Sequence, residues 1–203
     1  MKVTKDVRAA HREALLEAAS RLVRERGPDG VGVAEVSSAA GLTHGGFYRQ
    51  FASKDALVAE AVERSFAETT RAAAAACAQG GLERFAQGYL SPAHVADRAN
   101  GCVIAALGGD MPRQGDEVRQ AYAQGLRAYL EALSGPLKPG ASADGAPRDE
   151  AAQDGKPDGR TSEERARAIR RLAMLVGALH VARGLAGVDD DLADQVLEAV
   201  RPA

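Results

Sequence analysis

The stretch Val33–Asp55, VAEVSSAAGLTHGGFYRQFASKD, decides the fold of this chain. It predicts two short helices joined by a glycine corner and followed by the start of a third helix. The first helix covers Val33–Ala40, and Gly41 after it suits the left-handed conformation that often ends helices. The second covers about His44–Phe51, with Thr43 as its N-cap. Two short helices joined in this way have the anatomy of a helix-turn-helix, whose second helix enters the major groove of DNA.

The same stretch contains residues that are poor choices for stability alone. Gly45 and Gly46 inside a short helix cost about 1 kcal/mol each relative to alanine, whereas a backbone that must approach a phosphate or a base edge has a use for them. Lys54 at the start of the next helix opposes the helix dipole, but with the N–H groups there it makes an anion site. An ordinary αα-hairpin is the alternative on pattern alone. The candidate DNA-binding residues are Thr43, His44, Gly45, Tyr48, Arg49 and Lys54.

These candidates divide into two roles. Tyr48 and Lys54 are expected to bind phosphates, which position a protein on DNA without reading its sequence. His44 and the backbone of Gly45 are expected to lie nearest the bases. Phe47 and Phe51 are four residues apart, so both are predicted to point back into the core.

The composition predicts an all-α fold. Hydrophobic residues make up 45% of the 203 residues, but aromatic residues make up only 4% and there is no Trp. The core is therefore expected to consist of Ala, Leu and Val, which favours closely packed helices. No stretch shows the alternating pattern of a strand.

The net charge of −2 divides unevenly along the chain. Residues 1–54 carry nine Lys/Arg and six Asp/Glu, a charge of +3, and the remainder carries 17 and 22, a charge of −5. A basic N-terminal region on an acidic remainder is the asymmetry expected when only the first part meets a polyanion.

Several other partners and compartments are not indicated. No apolar run is long enough to span a bilayer, and the N-terminus has no signal-peptide pattern. Cys77 and Cys102 are far apart and have no CxxC partner, which suits a reducing cytoplasm better than a disulfide or zinc site. We expect a cytoplasmic protein with no membrane contact, no metal and no cofactor.

Helical periodicity predicts about nine helices in two domains. The head comprises residues 1–53 and is a three-helix DNA-binding domain; the body comprises residues 54–203 and is helical. Gly80-Gly81 is expected to end the fourth helix, and a capping box at Thr161–Glu164 to begin the eighth. The segment 135–160, rich in Gly, Pro and charge, is predicted to be a disordered loop. The helices outside the opening stretch are expected to span roughly residues 6–26, 54–79, 82–90, 102–109, 116–133, 161–185 and 189–200.

Residues 12–60 resemble the DNA-binding head of the tetracycline-repressor (TetR) family of bacterial transcriptional regulators. The resemblance rests on GLTHGGFYRQFASKDAL, with its small-residue turn, its Gly-Phe-Tyr recognition helix and its Lys-Asp start of the fourth helix. It covers about a quarter of the chain. Gly32 departs from the family pattern, because Thr or Ser usually caps the second helix and often contacts phosphate. The 26-residue loop before the eighth helix is also longer than is typical.

The resemblance implies a ligand-responsive repressor. Members of the family form homodimers, and the resemblance implies that this chain does so through its eighth and ninth helices. The two heads of the dimer would then read two half-sites of a palindromic operator. A small molecule in a pocket of the body lowers the affinity for DNA, a coupling of two sites. For each candidate pocket residue, plain core packing is the alternative. The candidates are Phe66, Phe85, Tyr89, Cys102, Met111, Tyr122, Leu126, Tyr129, Met174 and His180.

Cys102 supports two further hypotheses. The Asn-Gly-Cys entry to the sixth helix is similar to a TetR subgroup, some of whose members sense electrophiles or oxidants through cysteine, and a helix N-terminus favours the reactive thiolate. A small buried apolar residue is the alternative. A thiol-dependent enzyme would use Cys102 with His94 or His180 as base, but no oxyanion motif or metal cluster supports it. We therefore expect no enzyme. An acidic body also argues against a constitutive DNA-packing protein.

Overall fold

The computed structural model describes residues 5–134 and 162–201, and within these ranges every regular element is helical, which confirms the all-α prediction. The predicted loop 135–160 and Thr161 of the predicted capping box lie outside the described residues. A 3₁₀ helix covers Met111–Arg113. The α-helices of the described ranges are α1 (Lys5–Arg26), α2 (Val33–Ala39), α3 (His44–Phe47), α4 (Lys54–Tyr89), α5 (Pro92–Ala96), α6 (Val103–Leu107), α7 (Asp116–Ser134), α8 (Ser162–Leu185) and α9 (Asp190–Val200).

Helix α4 differs most from its prediction. Its 36 residues run without a break through Gly80-Gly81, so the fourth and fifth predicted helices are one element. The predicted end at this glycine pair is wrong. Gly81 has a φ of 71°, a left-handed value that glycine adopts at little cost, so the glycine allows a local distortion inside the helix instead of ending it.

Two short elements also differ from their predictions. Helix α3 ends at Phe47, and the chain then turns, with the Phe51 N–H donating to the Phe47 carbonyl at 3.0 Å. Helix α5 lies between the helices predicted over residues 82–90 and 102–109, where an irregular connection was expected. Ser91 caps it by accepting a hydrogen bond from the His94 N–H, and Pro92 is at its start, where a missing N–H costs nothing.

Helix α4 is central to the packing. It packs against α1 in the head and against α7 in the body, while α8 packs against α9. The buried side chains form one apolar cluster that continues from Leu15 and Phe47 in the head to Tyr129 and Leu179 in the body, all with 0% exposure. A single core therefore joins the head to the first helix of the body.

Ion pairs reinforce the contact between α1 and α4. Arg12 pairs with Glu60 of α4, and Arg24 pairs with Glu68 at 3.1 Å. The Arg24 side chain is only 4% exposed, so its charge depends on this partner. Glu68 is 33% exposed, so water partly screens this pair. The head is thus held to α4 by apolar packing and by charge.

Candidate nucleic-acid interface and body cavity

A Schellman motif sets the angle between α2 and α3. Gly41 has a φ of 69°, the Leu42 N–H donates to the Ser37 carbonyl at 2.8 Å, and the Gly41 N–H donates to the Ser38 carbonyl at 3.0 Å. This pair of bonds is the standard way of ending a helix on a left-handed glycine. The predicted role of Gly41 is confirmed, and the motif fixes the direction in which α3 leaves the turn.

Helix α3 has one buried side and one exposed side. Phe47 and Phe51 are 0% and 3% exposed, and their rings stack with centroids 5.8 Å apart, as predicted for core residues. The Arg12 guanidinium lies over the Phe51 ring at 4.3 Å and closes this side. The predicted DNA-binding residues lie on the other side: Thr43, His44, Gly45, Tyr48 and Arg49 are exposed, and Lys54 is half-buried at the start of α4.

The two glycines of α3 have no role inside the chain that requires glycine. Neither has a positive φ. A Cβ atom at Gly45 would meet nothing within 4 Å, and one at Gly46 would only make ordinary contacts of 3.7 Å with Leu42 and Thr43. Neither backbone geometry nor packing within the described residues calls for glycine at position 45, and Gly45 leaves the α3 backbone open to an outside partner.

The hydroxyl of Thr43 is available to an outside partner. Thr43 occupies the N-cap position of α3 but makes no side-chain capping bond, so the predicted cap is present in position only. Helix α4, by contrast, is capped by Ser53, whose hydroxyl accepts from the Ala56 N–H at 2.9 Å. Lys54 follows directly as the first residue of α4, where the helix dipole has its positive end.

Two residues of α1 lie beside α3, although the sequence did not predict that they bind DNA. Arg8 and His11 line a groove of about 830 Å³ together with Thr43, Gly45 and Arg49. The groove therefore has basic side chains on both walls. Their spacing of three residues showed that Arg8 and His11 share a face of α1, but only the tertiary fold shows that this face adjoins α3.

The body contains an open cavity of about 270 Å³ that is lined by α4, α7 and the segment leading into α6. Four predicted pocket residues line it: Phe85, Tyr89, Cys102 and Tyr129. The remaining lining residues were not predicted to do so, and they are Thr69, Ala72, Ala73, Ala76, Gly88, His94, Asn100 and Gly101.

The other predicted pocket residues lie elsewhere. Phe66 and Tyr122 pack edge to face with centroids 5.3 Å apart, and Met111 and Leu126 belong to the core, away from the cavity walls. All four pack against apolar neighbours in the core cluster.

Met174 and His180 lie away from this cavity. Met174 is 55% exposed, and His180 is exposed as well. They lie on the outer side of α8, whereas the cavity is lined from α4 and α7, so they do not line it. The helical spacing of α8 predicted that these two side chains face inward.

The outer side of α8 is apolar and nearly flat. Gly177 and Gly184 have nothing within 4 Å of an added Cβ atom, so the helix backbone is accessible there. The other exposed residues on this side are apolar or small, apart from Arg170 and His180, and they are Ile169, Ala173, Met174 and Val181. An exposed apolar strip of this kind is typical of a protein contact surface.

His94 forms hydrogen bonds with three segments around the cavity. Its Nδ1 lies 2.8 Å from the Tyr89 carbonyl, and its Nε2 lies 3.0 Å from the backbone N of Cys102. Because an N–H can only donate, Nε2 is the acceptor and Nδ1 carries the proton. The His94 carbonyl accepts from Arg183 of α8 at 2.9 Å. Burial lowers the pKa of His94, which suits this neutral form.

This geometry bears on the thiol-enzyme hypothesis. The Nε2 atom of His94 is engaged by a backbone N–H and not by the Cys102 thiol, and His180 lies exposed on α8. Cys102 itself is buried at the N-cap of α6. Neither candidate histidine is placed as a base for the thiol.

The phenols around Cys102 are held in the protonated state. Burial raises the pKa of Tyr122 to about 12 and raises those of Tyr89 and Tyr129 well above the ordinary value. The hydroxyls of Tyr89 and Tyr129 are both buried and have no hydrogen-bond partner within the described residues. Buried polar groups are nearly always paired, so two unpaired hydroxyls on one cavity are unusual.

Two further features are absent from the described residues. No helix there is long and apolar enough to cross a membrane. No group of three or more His, Cys, Asp or Glu side chains there is placed to hold a metal ion.

The fold and the exposed α3 face define a class, the helix-turn-helix transcription regulators that bind DNA. Residues 15–61 match the family described as bacterial regulatory proteins, tetR family. This segment therefore matches the TetR family, and the described chain has the fold of that family's regulators.

Solved structures support the assignment of the fold. The reduced form of NemR from Escherichia coli is 22% identical, with 95% of this chain and 98% of that chain covered and a TM-score of 0.65. A TetR-family regulator from Cytophaga hutchinsonii is 19% identical, with 99% and 95% covered and a TM-score of 0.68. One from Agrobacterium tumefaciens is 20% identical, with 96% and 100% covered and a TM-score of 0.65. None of the curated proteins matches the chain.

Proposed function

We propose that this protein is a cytoplasmic, homodimeric repressor that releases a palindromic operator when a small molecule occupies its body. The observation that carries the proposal is the exposed face of α3, where Gly45 has no internal reason to be glycine. In this proposal residues 1–53 are the DNA-binding domain and residues 54–203 are the ligand-binding and dimerisation domain.

The proposed contacts with DNA follow from exposure and chemistry. The backbone at Gly45 and the His44 side chain lie nearest the bases, because no side chain at position 45 keeps them apart. Tyr48, which is 58% exposed, and Lys54 bind phosphates. Thr43 and Arg49 complete the surface, and Arg8 extends it along the groove.

The outer side of α8 supports the proposed dimer. The exposed strip around Met174 and Gly177 lets the backbone of a second helix approach closely, and α9 packs beside it. Two such surfaces related by a two-fold axis would form a four-helix contact, which sets the two heads on half-sites about one helical turn apart.

The body cavity is the proposed effector site. It lies against α4, which also carries Lys54 at its other end, so a ligand there contacts the helix that the head is packed on. In a second version of the proposal, the effector is a reactive electrophile that modifies Cys102. The reduced form of NemR has a similar fold, but Cys102 here is buried, which favours a small molecule that enters the cavity.

Selection of bound DNA from a random pool tests the proposal. We expect a palindromic consensus, with two half-sites protected in a footprint at the same sequence. A protein that retains every pool member equally would instead be a DNA-packing protein, and a protein that retains none would not be a DNA-binding regulator. Release of the selected operator by a quinone or an aldehyde tests the second form of the effector. Equal release from Cys102→Ser and from the unaltered protein would exclude the thiol.

The dimer is tested separately by Met174→Glu. We expect this change to place two charges against each other across the α8 contact and to give a monomer by light scattering. Gln124→Glu, on the exposed side of α7, is the matched control and is expected to remain dimeric. A dimer of unchanged strength for Met174→Glu would show that the contact lies elsewhere.

A further inference from the structure

The groove between α1 and α3 has positive side chains on both walls and no acidic side chain among the described residues that line it. Arg8 and His11 form the α1 wall, and Arg49 lies on the α3 wall. A groove lined by one sign of charge favours a partner of the opposite sign. The remaining lining residues carry no charge, and they are Gly41, Leu42, Thr43, Gly45, Gly46 and Gln50.

The other charged side chains next to His11 on α1 are engaged with α4. Arg12 pairs with Glu60 of α4. Glu13, the acidic residue closest to His11 in the sequence, pairs with Arg64 of α4. A positive charge on His11 is therefore not balanced by a carboxylate inside the groove.

DNA bound on α3 would bring phosphates to this groove. Thr43, Gly45 and Arg49 line the groove and also belong to the proposed DNA-binding surface. A recognition helix in the major groove lies between two sugar-phosphate strands, and the helix beside it crosses the backbone. The α1 wall therefore meets a phosphate strand when α3 meets the bases.

Arg8 and His11 differ in how they respond to such a phosphate. They are three residues apart, so they are neighbours on one face of α1. Arginine is always charged, whereas histidine is the side chain whose charge changes between about pH 5 and 8. In the free protein a proton on His11 adds a third positive charge beside Arg8 and Arg49, which is unfavourable. Beside a phosphate the same proton is stabilised by an opposite charge.

We infer that α1 makes its own contact with the DNA backbone, in which Arg8 binds a phosphate at every pH and His11 takes up a proton from solvent as the operator binds. The inference rests on the proposed function, since it concerns regulation of the same DNA-binding surface. A complex that holds more protons than its free components is favoured at low pH. Affinity for the operator therefore rises as the pH falls.

Titration of the selected operator at pH 6 and pH 8 tests this inference on the full chain. Affinity is expected to be about tenfold higher per head at pH 6. The slope of log affinity against log salt should be steeper by about one per head at the lower pH, because one more phosphate is neutralised. Calorimetry near pH 7 in two buffers with different enthalpies of ionisation should count an uptake of up to about one proton per head.

Two variants of the α1 wall separate the charge that titrates from the charge that does not. His11→Gln should bind like the unaltered protein at pH 8 but should lose the gain at pH 6 and the proton uptake. Arg8→Gln should weaken binding about tenfold at both pH values and keep the gain. Arg71→Ala, at an exposed position further along α4, is the control and should match the unaltered protein throughout.

His44→Gln controls for the other histidine of the head. The His44 ring does not line the groove and packs on the Tyr48 ring, with centroids 5.3 Å apart. This variant should keep the difference between pH 6 and pH 8, even if its affinity is lower at both. Loss of the pH difference in His44→Gln, together with its retention in His11→Gln, would place the proton on α3 and overturn the role of His11.

The remaining contrary results are distinguishable from a failure of the proposed function. A palindromic operator that is bound equally at pH 6 and pH 8, with no proton uptake in calorimetry, would reject the inference and leave the proposed function standing. Arg8→Gln with unchanged affinity would show that α1 does not contact the backbone. If no operator is selected from the random pool at either pH, the proposed function itself fails.

Discussion

The outer face of α3 and the cavity of the body both present groups that lack an internal partner, but the two regions differ in what this costs. On α3 the hydroxyl of Thr43 and the Tyr48 ring are exposed, so water satisfies them. In the cavity the hydroxyls of Tyr89 and Tyr129 are buried and unpaired. A buried polar group without a partner costs about 1–3 kcal/mol, whereas a hydrated one costs nothing. Changes in the two regions should therefore affect stability differently.

This contrast predicts that substitutions on the outer face of α3 change DNA binding without changing the stability of the fold. The head should tolerate substitution of its outer face without unfolding, because these side chains are exposed; only the Tyr48 ring packs edge to face, on Phe47 and His44. The cavity should gain or keep stability when its unpaired hydroxyls are removed. Measurements of binding and of unfolding on the same variants test both halves of the contrast.

The largest expected effect is that of Gly45→Leu. The new side chain projects into open space in the isolated protein, and leucine favours a helix over glycine by about 0.5–1 kcal/mol. The free energy of unfolding should therefore stay the same or rise. Affinity for the selected operator should fall about 100-fold, because the side chain separates the backbone from the bases. Chemical denaturation and a binding titration provide the two measurements.

Gly109→Leu is the matched control for this prediction. Gly109 also has nothing near its Cβ position, but it lies in the body. We expect unchanged affinity for the operator. If Gly45→Leu bound DNA as tightly as this control, the backbone of α3 would not approach the bases.

A smaller effect is expected for Lys54→Ala. Loss of one phosphate contact should weaken binding about tenfold for every DNA sequence and reduce the slope of log affinity against log salt by about one. Arg71→Ala, further along α4 and exposed, should change neither quantity. A change that depends on the DNA sequence would place Lys54 at the bases instead of at a phosphate. Tyr48→Ala should behave like Lys54→Ala, with fold and dimer intact.

The smallest expected effect is a pH dependence of stability due to His94. Burial lowers the pKa of His94 in the folded state, so between that pKa and the ordinary value of 6.5 the unfolded chain binds more protons. Stability should therefore be fully present above pH 6.5 and fall as the pH drops through it. His94→Gln should flatten this slope, whereas His180→Gln, at an exposed position, should leave it unchanged. Unfolding titrations at several pH values measure it.

The head was largely predictable from the sequence because its features are local. Gly41 as a C′ residue, Phe47 and Phe51 as core residues and the start of α4 at Lys54 each depend on neighbours within a few positions. The groove that includes Arg8 was not predictable, since it requires knowing that the start of α1 adjoins α3.

The body was less predictable for the same reason. Spacing along α8 identifies residues that share a side, but it does not say which side faces inward, so Met174 and His180 were assigned to the interior. The role of His94 depends on carbonyl and N–H groups five and eight positions away that meet only after folding. Gly81 shows a further limit, because the same residue can end a helix or merely bend it.

The length of α4 has a mechanical consequence. Ala73 at the cavity and Lys54 at the DNA end are 19 residues apart on this helix, which corresponds to about 29 Å at 1.5 Å per residue. A tilt of about 6° about the cavity therefore displaces the far end by about 3 Å, close to the full length of a hydrogen bond. Because Arg12 and Arg24 pair with α4, such a tilt would carry the head along with the helix, and the proposed phosphate-binding residues Tyr48 and Lys54 would move together.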